Sequence, residues 1–170
     1  FIPLTVGGGI RRLEDVSLLL EAGADKVSVG SAGVARPELL AEIAGEHGNQ
    51  ILVISLDIKR GASPSGFVIT SHGGRQETGL DALQWIERVQ ELGAGELLIN
   101  SIDADGTREG FDLDLIEKVR KLSAVPIIAS GGAGKVSDFV DAAQTGADAL
   151  LAASVFHSGE ISIAQVKQAL

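Results

Sequence analysis

Two stretches of this 170-residue chain place glycines between an apolar strand and a helix, a pattern that can bind an anion. Residues 4–10 contain Gly7, Gly8 and Gly9, and residues 125–134 contain Gly131 and Gly132. Glycine lets backbone N–H groups approach an anion closely, and the N-terminus of the following helix adds the favourable end of its dipole. Either turn alone is equally explained as a tight connection without a ligand.

The two stretches belong to an internal repeat. A constant offset of 123 positions aligns Gly8 and Gly9 with Gly131 and Gly132, Asp15 with Asp138, residues 23–25 with residues 146–148, and Ser31 with Ser154. Each half therefore has a glycine turn and a serine after its next strand. Two related sites of this kind favour a ligand that carries a phosphate at each end.

Carboxylates follow two of the strands between these turns. Asp57 ends the apolar run 51–56 and is the candidate for proton transfer, although an aspartate here can also cap a turn. Asp103 and Asp105 can each bind a ligand or form an Asx turn. We favour Asp105 for ligand binding because Gly106 and Thr107 bring backbone and hydroxyl donors. His72 and His157 are interpreted as a loop tip and a helix cap.

The pattern of apolar residues predicts six strands, each followed by a helix. The strands are predicted at residues 1–6, 26–30, 51–56, 96–100, 125–129 and 149–153, and the later helices at 80–92, 113–122, 136–145 and 161–170. The loop 60–79 is expected to hold a hairpin arm at 67–70. Such alternation requires parallel strands with right-handed crossovers. We expect an α/β fold of the (βα)8 TIM-barrel family, here an incomplete barrel of about six units in a single domain over residues 1–170, with polar residues on one rim.

The composition excludes several classes of protein. The net charge of −9 disfavours nucleic acid as a partner, and no apolar run approaches the ~20 residues of a membrane span, so we expect a soluble, cytoplasmic protein. With no cysteine there is neither a disulfide framework nor a thiolate metal site. No P-loop, zinc-binding spacing or Ser-His-Asp order occurs, and nothing implies a bound metal or redox cofactor.

Short motifs along nearly the whole chain form one ordered set. They are TVGGGI at 5–10, ADKVS at 24–28, DIKR at 57–60, HGGR at 72–75 with TG at 78–79, GAGE at 93–96, NSIDADGT at 100–107, IIASGGAGK at 127–135 and AASVFH at 152–157. The set resembles the cyclase subunit of imidazole glycerol phosphate synthase, from histidine biosynthesis. The resemblance implies a barrel of two similar halves. Its substrates would be ammonia and a ribulosyl-formimino aminoimidazole carboxamide ribonucleotide with two phosphates, and its products imidazole glycerol phosphate and an aminoimidazole carboxamide ribonucleotide.

The resemblance also assigns roles to residues. Asp57 would be one of two acid/base aspartates. Gly9 and Ser31 would hold one phosphate, and the other would be held by Gly106, Gly132, Ala153 and Ser154. Asn100, Ser101 and Asp105 would touch the ligand between them. On the opposite face, Lys26 and Glu96 resemble members of a charged gate for ammonia from a glutaminase partner, and Asp25 resembles a contact to that partner.

Two departures from the family pattern modify this expectation. The family often has Asn where this chain has Gly30. The resemblance begins at the family's third strand, so the first two βα units, with the second aspartate and part of the gate, are not matched. We therefore expect severely impaired turnover, and strand edges that favour self-association. Two alternatives are kept: an inactive phosphate-binding fragment of the barrel, and the isomerase one step earlier in the pathway.

Overall fold

The computed structural model describes residues 2–170. Phe1 lies outside the described residues, so the strand predicted at 1–6 is compared from residue 2. The strands are β1 (Thr5–Gly7), β2 (Lys26–Val29), β3 (Leu52–Arg60), β4 (Phe67–Ser71), β5 (Gln76–Asp81), β6 (Glu96–Ser101), β7 (Ile127–Ser130) and β8 (Ala149–Leu151). The helices are α1 (Leu13–Glu21), α2 (Ser31–Ala35), α3 (Glu38–His47), α4 (Ala82–Glu91), α5 (Leu113–Leu122), α6 (Val136–Thr145), α7 (Ser154–His157) and α8 (Ile163–Ala169), with a 3₁₀ turn at Asn49–Ile51.

Six of the strands form one parallel sheet in the order β1-β2-β3-β6-β7-β8. The sheet curls into an incomplete barrel, which confirms the predicted fold class. Strands β4 and β5 form an antiparallel hairpin that pairs with the end of β3. Parallel strands in chain order bring all their carboxyl ends to one rim. No helix within residues 2–170 has the length and apolar character needed to cross a bilayer.

The inner strands β2, β6 and β7 are buried on the helix side and partly exposed on the concave side. In β6, Leu97 and Ile99 are buried, whereas Leu98 and Asn100, which alternate with them, are only partly buried. The same alternation occurs in β2, where Val27 is buried between partly exposed neighbours. The apolar runs predict strands buried on both faces. The structure differs because the concave face of the curled sheet is open.

The internal repeat is reproduced in the hydrogen bonds. Asp25 Oδ2 accepts the Leu4 N–H at 2.7 Å, and Asp148 Oδ2 accepts the Ile127 N–H at 2.8 Å. At the other end of each strand, Asp15 and Asp138 accept backbone N–H groups at the starts of α1 and α6. The N–H groups of Arg11 and Arg12, with the Arg12 guanidinium, hold the pKa of Asp15 below its ordinary value. The positions aligned in the sequence therefore make equivalent hydrogen bonds in both halves.

Most predicted elements are present, and the differences have local causes. Helices α5 and α6 have the predicted bounds. Helix α4 begins at Ala82 because residue 80 belongs to β5 and Asp81 caps the helix. Strand β3 continues to Arg60 because β4 pairs with its last four residues. Helix α8 begins at Ile163 because the Ser162 side chain caps it.

Three further features of the structure differ from the sequence-based prediction. The strand predicted at 149–153 ends at Leu151, two residues before the short helix α7 begins at Ser154. Helix α2 is the counterpart of α7 in the first half of the repeat. Strand β5, the second arm of the hairpin, alternates polar and apolar residues weakly, so its sequence carries little strand signal.

The buried carboxylate of Asp81 joins the hairpin to α4. It accepts N–H groups from Ser65 at 2.7 Å, Leu83 at 3.0 Å and Gln84 at 3.1 Å. Burial raises the pKa of Asp81, but the hydrogen bonds from Ser65, Gln84 and Ser63 outweigh this effect and lower the pKa to about 2. Because the folded-state pKa lies below the ordinary value of 3.8, this carboxylate stabilises the fold above about pH 4 and loses that contribution as the pH falls toward 2.

We expect Asp81→Ala to lower the free energy of unfolding by about 2 kcal/mol at neutral pH, since it removes a helix cap and leaves buried N–H groups unpaired. Denaturant unfolding between pH 7 and pH 2 measures both the loss and its decline with acid. Ser162→Ala is the matched control, because Ser162 also caps a helix but is exposed. Equal effects of the two substitutions would contradict the role assigned to Asp81.

Candidate functional site

Two cavities open at the carboxyl ends of the parallel strands. The first cavity has a volume of about 800 Å³ and is bordered by the ends of β1, β2 and β3. The second cavity, of about 370 Å³, is bordered by the ends of β3, β6, β7 and β8. Ser55 and Asp57 on β3 line both. The two halves of the repeat thus each form one cavity, and β3 lies between them.

The first cavity contains the first glycine turn. Gly8 and Gly9 have φ values of +94° and +77°, which strongly favour glycine. Ser31, the first residue of α2, lines the same cavity, and its hydroxyl oxygen accepts the N–H of His72 at 3.0 Å. The predicted residues Gly9 and Ser31 are therefore brought together. Gly30 also lines this cavity through its backbone.

The second cavity contains the second glycine turn. Gly131 and Gly132 have φ values of +94° and +102°. A Cβ atom on Gly132 would lie 2.0 Å from the Gly110 carbonyl oxygen, so the close approach of these two loops also requires glycine. The other predicted residues that line this cavity are Asn100, Asp105, Gly106, Ala153 and Ser154.

Asp57 is held rigidly between the two cavities. The Asn100 side-chain amide donates to Asp57 Oδ1 at 3.1 Å, and the Thr70 hydroxyl donates to the Asp57 carbonyl oxygen at 2.9 Å. Within residues 2–170 no protein group donates to Oδ2 of this carboxylate. Asp57 therefore presents one oriented and half-buried oxygen, which is the geometry that a general acid or base needs.

The polar residues at the end of β6 and in the loop that follows it lie in different surroundings. Asp105 is exposed and lines the second cavity. The Asp103 carboxylate instead accepts the backbone N–H of Arg60 at 2.7 Å, which joins this loop to the end of β3. The Ser101 side chain is 3% exposed and lies on the helix side of β6, so it does not line either cavity. Its hydroxyl has no hydrogen-bond partner among residues 2–170.

The three residues expected at the opposite face lie at the amino ends of the strands. Lys26 of β2 and Glu96 of β6 form an ion pair across β3, and both side chains are partly buried. They share the concave face with Ser28 and Leu98, which line the cavities one step higher. Asp25 is exposed, and its carboxylate holds the N–H of Leu4.

Four cationic or ionisable side chains line the cavities but were not predicted from the sequence as site residues. Arg11, Arg36 and His72 line the first cavity, and Arg108 lines the second. His72 and Arg108 are the only non-glycine residues with positive φ in residues 2–170, at +54° and +62°. The position of Arg11, two residues after the glycine turn, was the available signal. Arg108 and Arg36 carry no such local signal. His157 is exposed in α7.

The curled parallel sheet and the cavities at its carboxyl rim place this chain in the (βα)-barrel class, whose ligand sites lie at that end of the strands. The family model described as "Histidine biosynthesis protein" matches residues 1–162. The chain belongs to this histidine biosynthesis family.

Three curated relatives are all named imidazole glycerol phosphate synthase subunit HisF. The protein of Leifsonia xyli subsp. xyli is 69% identical over the whole of this chain, which covers 67% of that protein. Those of Thermobifida fusca and Salinispora arenicola are 62% and 60% identical, again over the whole chain and 68% of each relative. The similarity therefore extends over every element described above.

Proposed function

We propose that this chain performs the cyclase reaction of imidazole glycerol phosphate synthase. Ammonia attacks the ribulosyl-formimino aminoimidazole carboxamide ribonucleotide, the imidazole ring of imidazole glycerol phosphate closes, and an aminoimidazole carboxamide ribonucleotide leaves. The observation that carries the proposal is the convergence of two repeat-related glycine cavities on Asp57. The names of the relatives support the same reaction. We expect it to take place in the cytoplasm.

The two ends of the substrate are assigned to the two cavities. Gly9 and Ser31 hold one phosphate, and Gly106, Gly132, Ala153 and Ser154 hold the other. Asn100 and Asp105 contact the ligand between them, and Asn100 also orients Asp57. We leave Ser101 out of the ligand contacts, although the family resemblance includes it, because its side chain faces the helices.

Asp57 transfers protons during ring closure and cleavage. It is the only carboxylate in residues 2–170 that lines both cavities. With Asp57 as its one assigned acid/base group, we expect slow turnover by the isolated chain.

We expect Asp57→Asn to reduce the ammonia-dependent rate by about 10²- to 10⁴-fold, because it removes the general acid/base while keeping the side-chain shape. The measurement is loss of the bisphosphorylated ribonucleotide with excess ammonium salt, beside the affinity of each protein for inorganic phosphate. Asp103→Asn is the control, since that carboxylate binds a backbone N–H outside the cavities.

The outcomes separate the alternative functions. Phosphate binding without turnover by the unsubstituted chain would identify an inactive phosphate-binding barrel. Isomerisation of the preceding aminoaldose without ammonia would identify the isomerase. Equal rates for the unsubstituted chain and Asp57→Asn would remove Asp57 from the mechanism.

Lys26 and Glu96 are proposed as a gate through which ammonia reaches the cavities. The ion pair spans the concave face at the amino ends of the strands, below Asp57. A glutaminase subunit would dock on that face, with Asp25 among its contacts. The word "subunit" in the names of the relatives supports a partner of this kind.

We expect Lys26→Met to lower the rate severalfold when a glutaminase supplies ammonia, but much less with free ammonium salt, because only the first route passes the gate. Lys121→Met is the control, as Lys121 forms an exposed pair with Glu117 on an outer helix. An equal loss with both nitrogen sources would show that Lys26 supports the fold and not ammonia transfer.

We also propose that the outer edges of the sheet promote self-association. Within the described residues β1 pairs only with β2, and β8 only with β7, so each has an edge of unpaired backbone groups. Light scattering over a concentration series should show a mass that rises with concentration. A constant monomer mass at high concentration would contradict the proposal.

A further inference from the structure

Each cavity has at least one arginine, but these arginines differ in their electrostatic partners. Arg36 in the first cavity pairs with Glu42 at 2.6 Å. Arg108 in the second cavity pairs with Glu160 at 3.0 Å. Arg11 in the first cavity forms no ion pair with a carboxylate in residues 2–170. The first cavity therefore holds a guanidinium that has no carboxylate partner among the described residues.

The internal repeat shows how this difference arises. The repeat position of Arg11 is Gly134, and the backbone is the same at both: the N–H of Arg11 donates to Asp15 Oδ2, and that of Gly134 to Asp138 Oδ2, each at 2.9 Å. A Cβ atom on Gly134 would lie 2.1 Å from the Arg108 carbonyl oxygen. The second half thus has no room for a side chain where the first half carries its arginine.

The second cavity obtains its arginine from a different loop. Arg108 lies after β6 in the left-handed backbone region and places its side chain at the second cavity. Two carboxylates reduce its effect there, since Glu160 pairs with it and Asp105 lines the same cavity. The Ser158 hydroxyl and, after it, the Arg108 guanidinium lower the pKa of Glu160, so this carboxylate is charged at neutral pH.

We infer that Arg11 makes the first cavity the tighter of the two phosphate subsites and so determines which cavity anchors the ligand. The inference rests on the proposed function, which assigns one phosphate to each cavity. A guanidinium offers a planar fork of donors that matches two oxygens of a phosphate dianion. Arg11 lines the cavity together with Gly9 and the Ser31 hydroxyl, so backbone, hydroxyl and guanidinium donors face the same space.

The test is a calorimetric titration of the purified chain with inorganic phosphate at low ionic strength. The unsubstituted chain should show two sites of unequal affinity. Arg11→Gln should weaken the tighter site by about tenfold, the loss expected for one charge-assisted hydrogen-bonded contact, and leave the weaker site unchanged.

Arg12→Gln is the matched control. Arg12 is the next residue, carries the same charge and pairs with Asp15 at 3.4 Å, but it does not line the cavity. The net charge of the two variants is equal, so a general electrostatic effect would weaken binding in both. Glu160→Gln should tighten the weaker site, because it releases Arg108 from its carboxylate partner.

Three results would overturn the inference: equal affinities in Arg11→Gln and Arg12→Gln, loss of the weaker site in Arg11→Gln, or two equal sites in the unsubstituted chain. Circular dichroism of each variant distinguishes these from loss of the fold. If the unsubstituted chain bound no phosphate at either cavity, the proposed function itself would fail, and that outcome is visible before any variant is compared.

Discussion

The carboxylates of Asp15 and Asp138 fix the two glycine turns, and the geometry of both cavities depends on them. Each accepts two consecutive backbone N–H groups at the start of a helix, at distances of 2.9 to 3.2 Å. Those groups cannot be satisfied inside the helix. With the helix start fixed on one side and a sheet strand on the other, the turn between them has little freedom. A site that is ordered before its ligand arrives loses less entropy on binding.

The repeat explains why there are two cavities, and its departures explain why they differ. Asp25 and Asp148 fix the amino ends of the strands as Asp15 and Asp138 fix the other ends. The two halves have the same backbone geometry here but carry different side chains. Where the second half packs the Arg108 loop against Gly134, the first half leaves space for Arg11. Two similar halves can therefore bind similar groups with unequal strength.

The sequence was sufficient to predict the order of the strands, the repeat and most of the residues on the rim. Continuous apolar runs and glycine turns are local signals, and parallel connection follows from their alternation. The residues that were missed depend on long-range contacts. Arg108 reaches the second cavity because its backbone has a positive φ, a conformation that its residue type does not predict. Arg36 reaches the first cavity from the end of a short helix that was not predicted. Only the family resemblance places Ser101 at the ligand, whereas alternation along β6 turns its side chain toward the helices.

The hairpin gives the end of β3, which carries Asp57, a pairing strand on its second side. On one side β3 pairs with β6 from Val53 through Ile58, but on the other side its pairing with β2 stops at Ile54. From Asp57 onward, β4 replaces β2 as the neighbour, beginning with Thr70. Without the hairpin, the end of β3 would be an edge, free to fray. With it, the Asp57 backbone is held from both sides and its side chain by Asn100.

The same hairpin reaches the first cavity, where the His72 N–H binds the Ser31 hydroxyl oxygen. A hydroxyl that accepts this bond still has its own hydrogen to donate to an anion. The Ser31 hydroxyl and the position of Asp57 are thus connected through one hairpin, from its tip at His72 to Thr70, whose hydroxyl binds the Asp57 carbonyl oxygen. A long loop in the middle of the chain therefore contributes to both the proposed phosphate-binding part and the proposed proton-transfer part of the site.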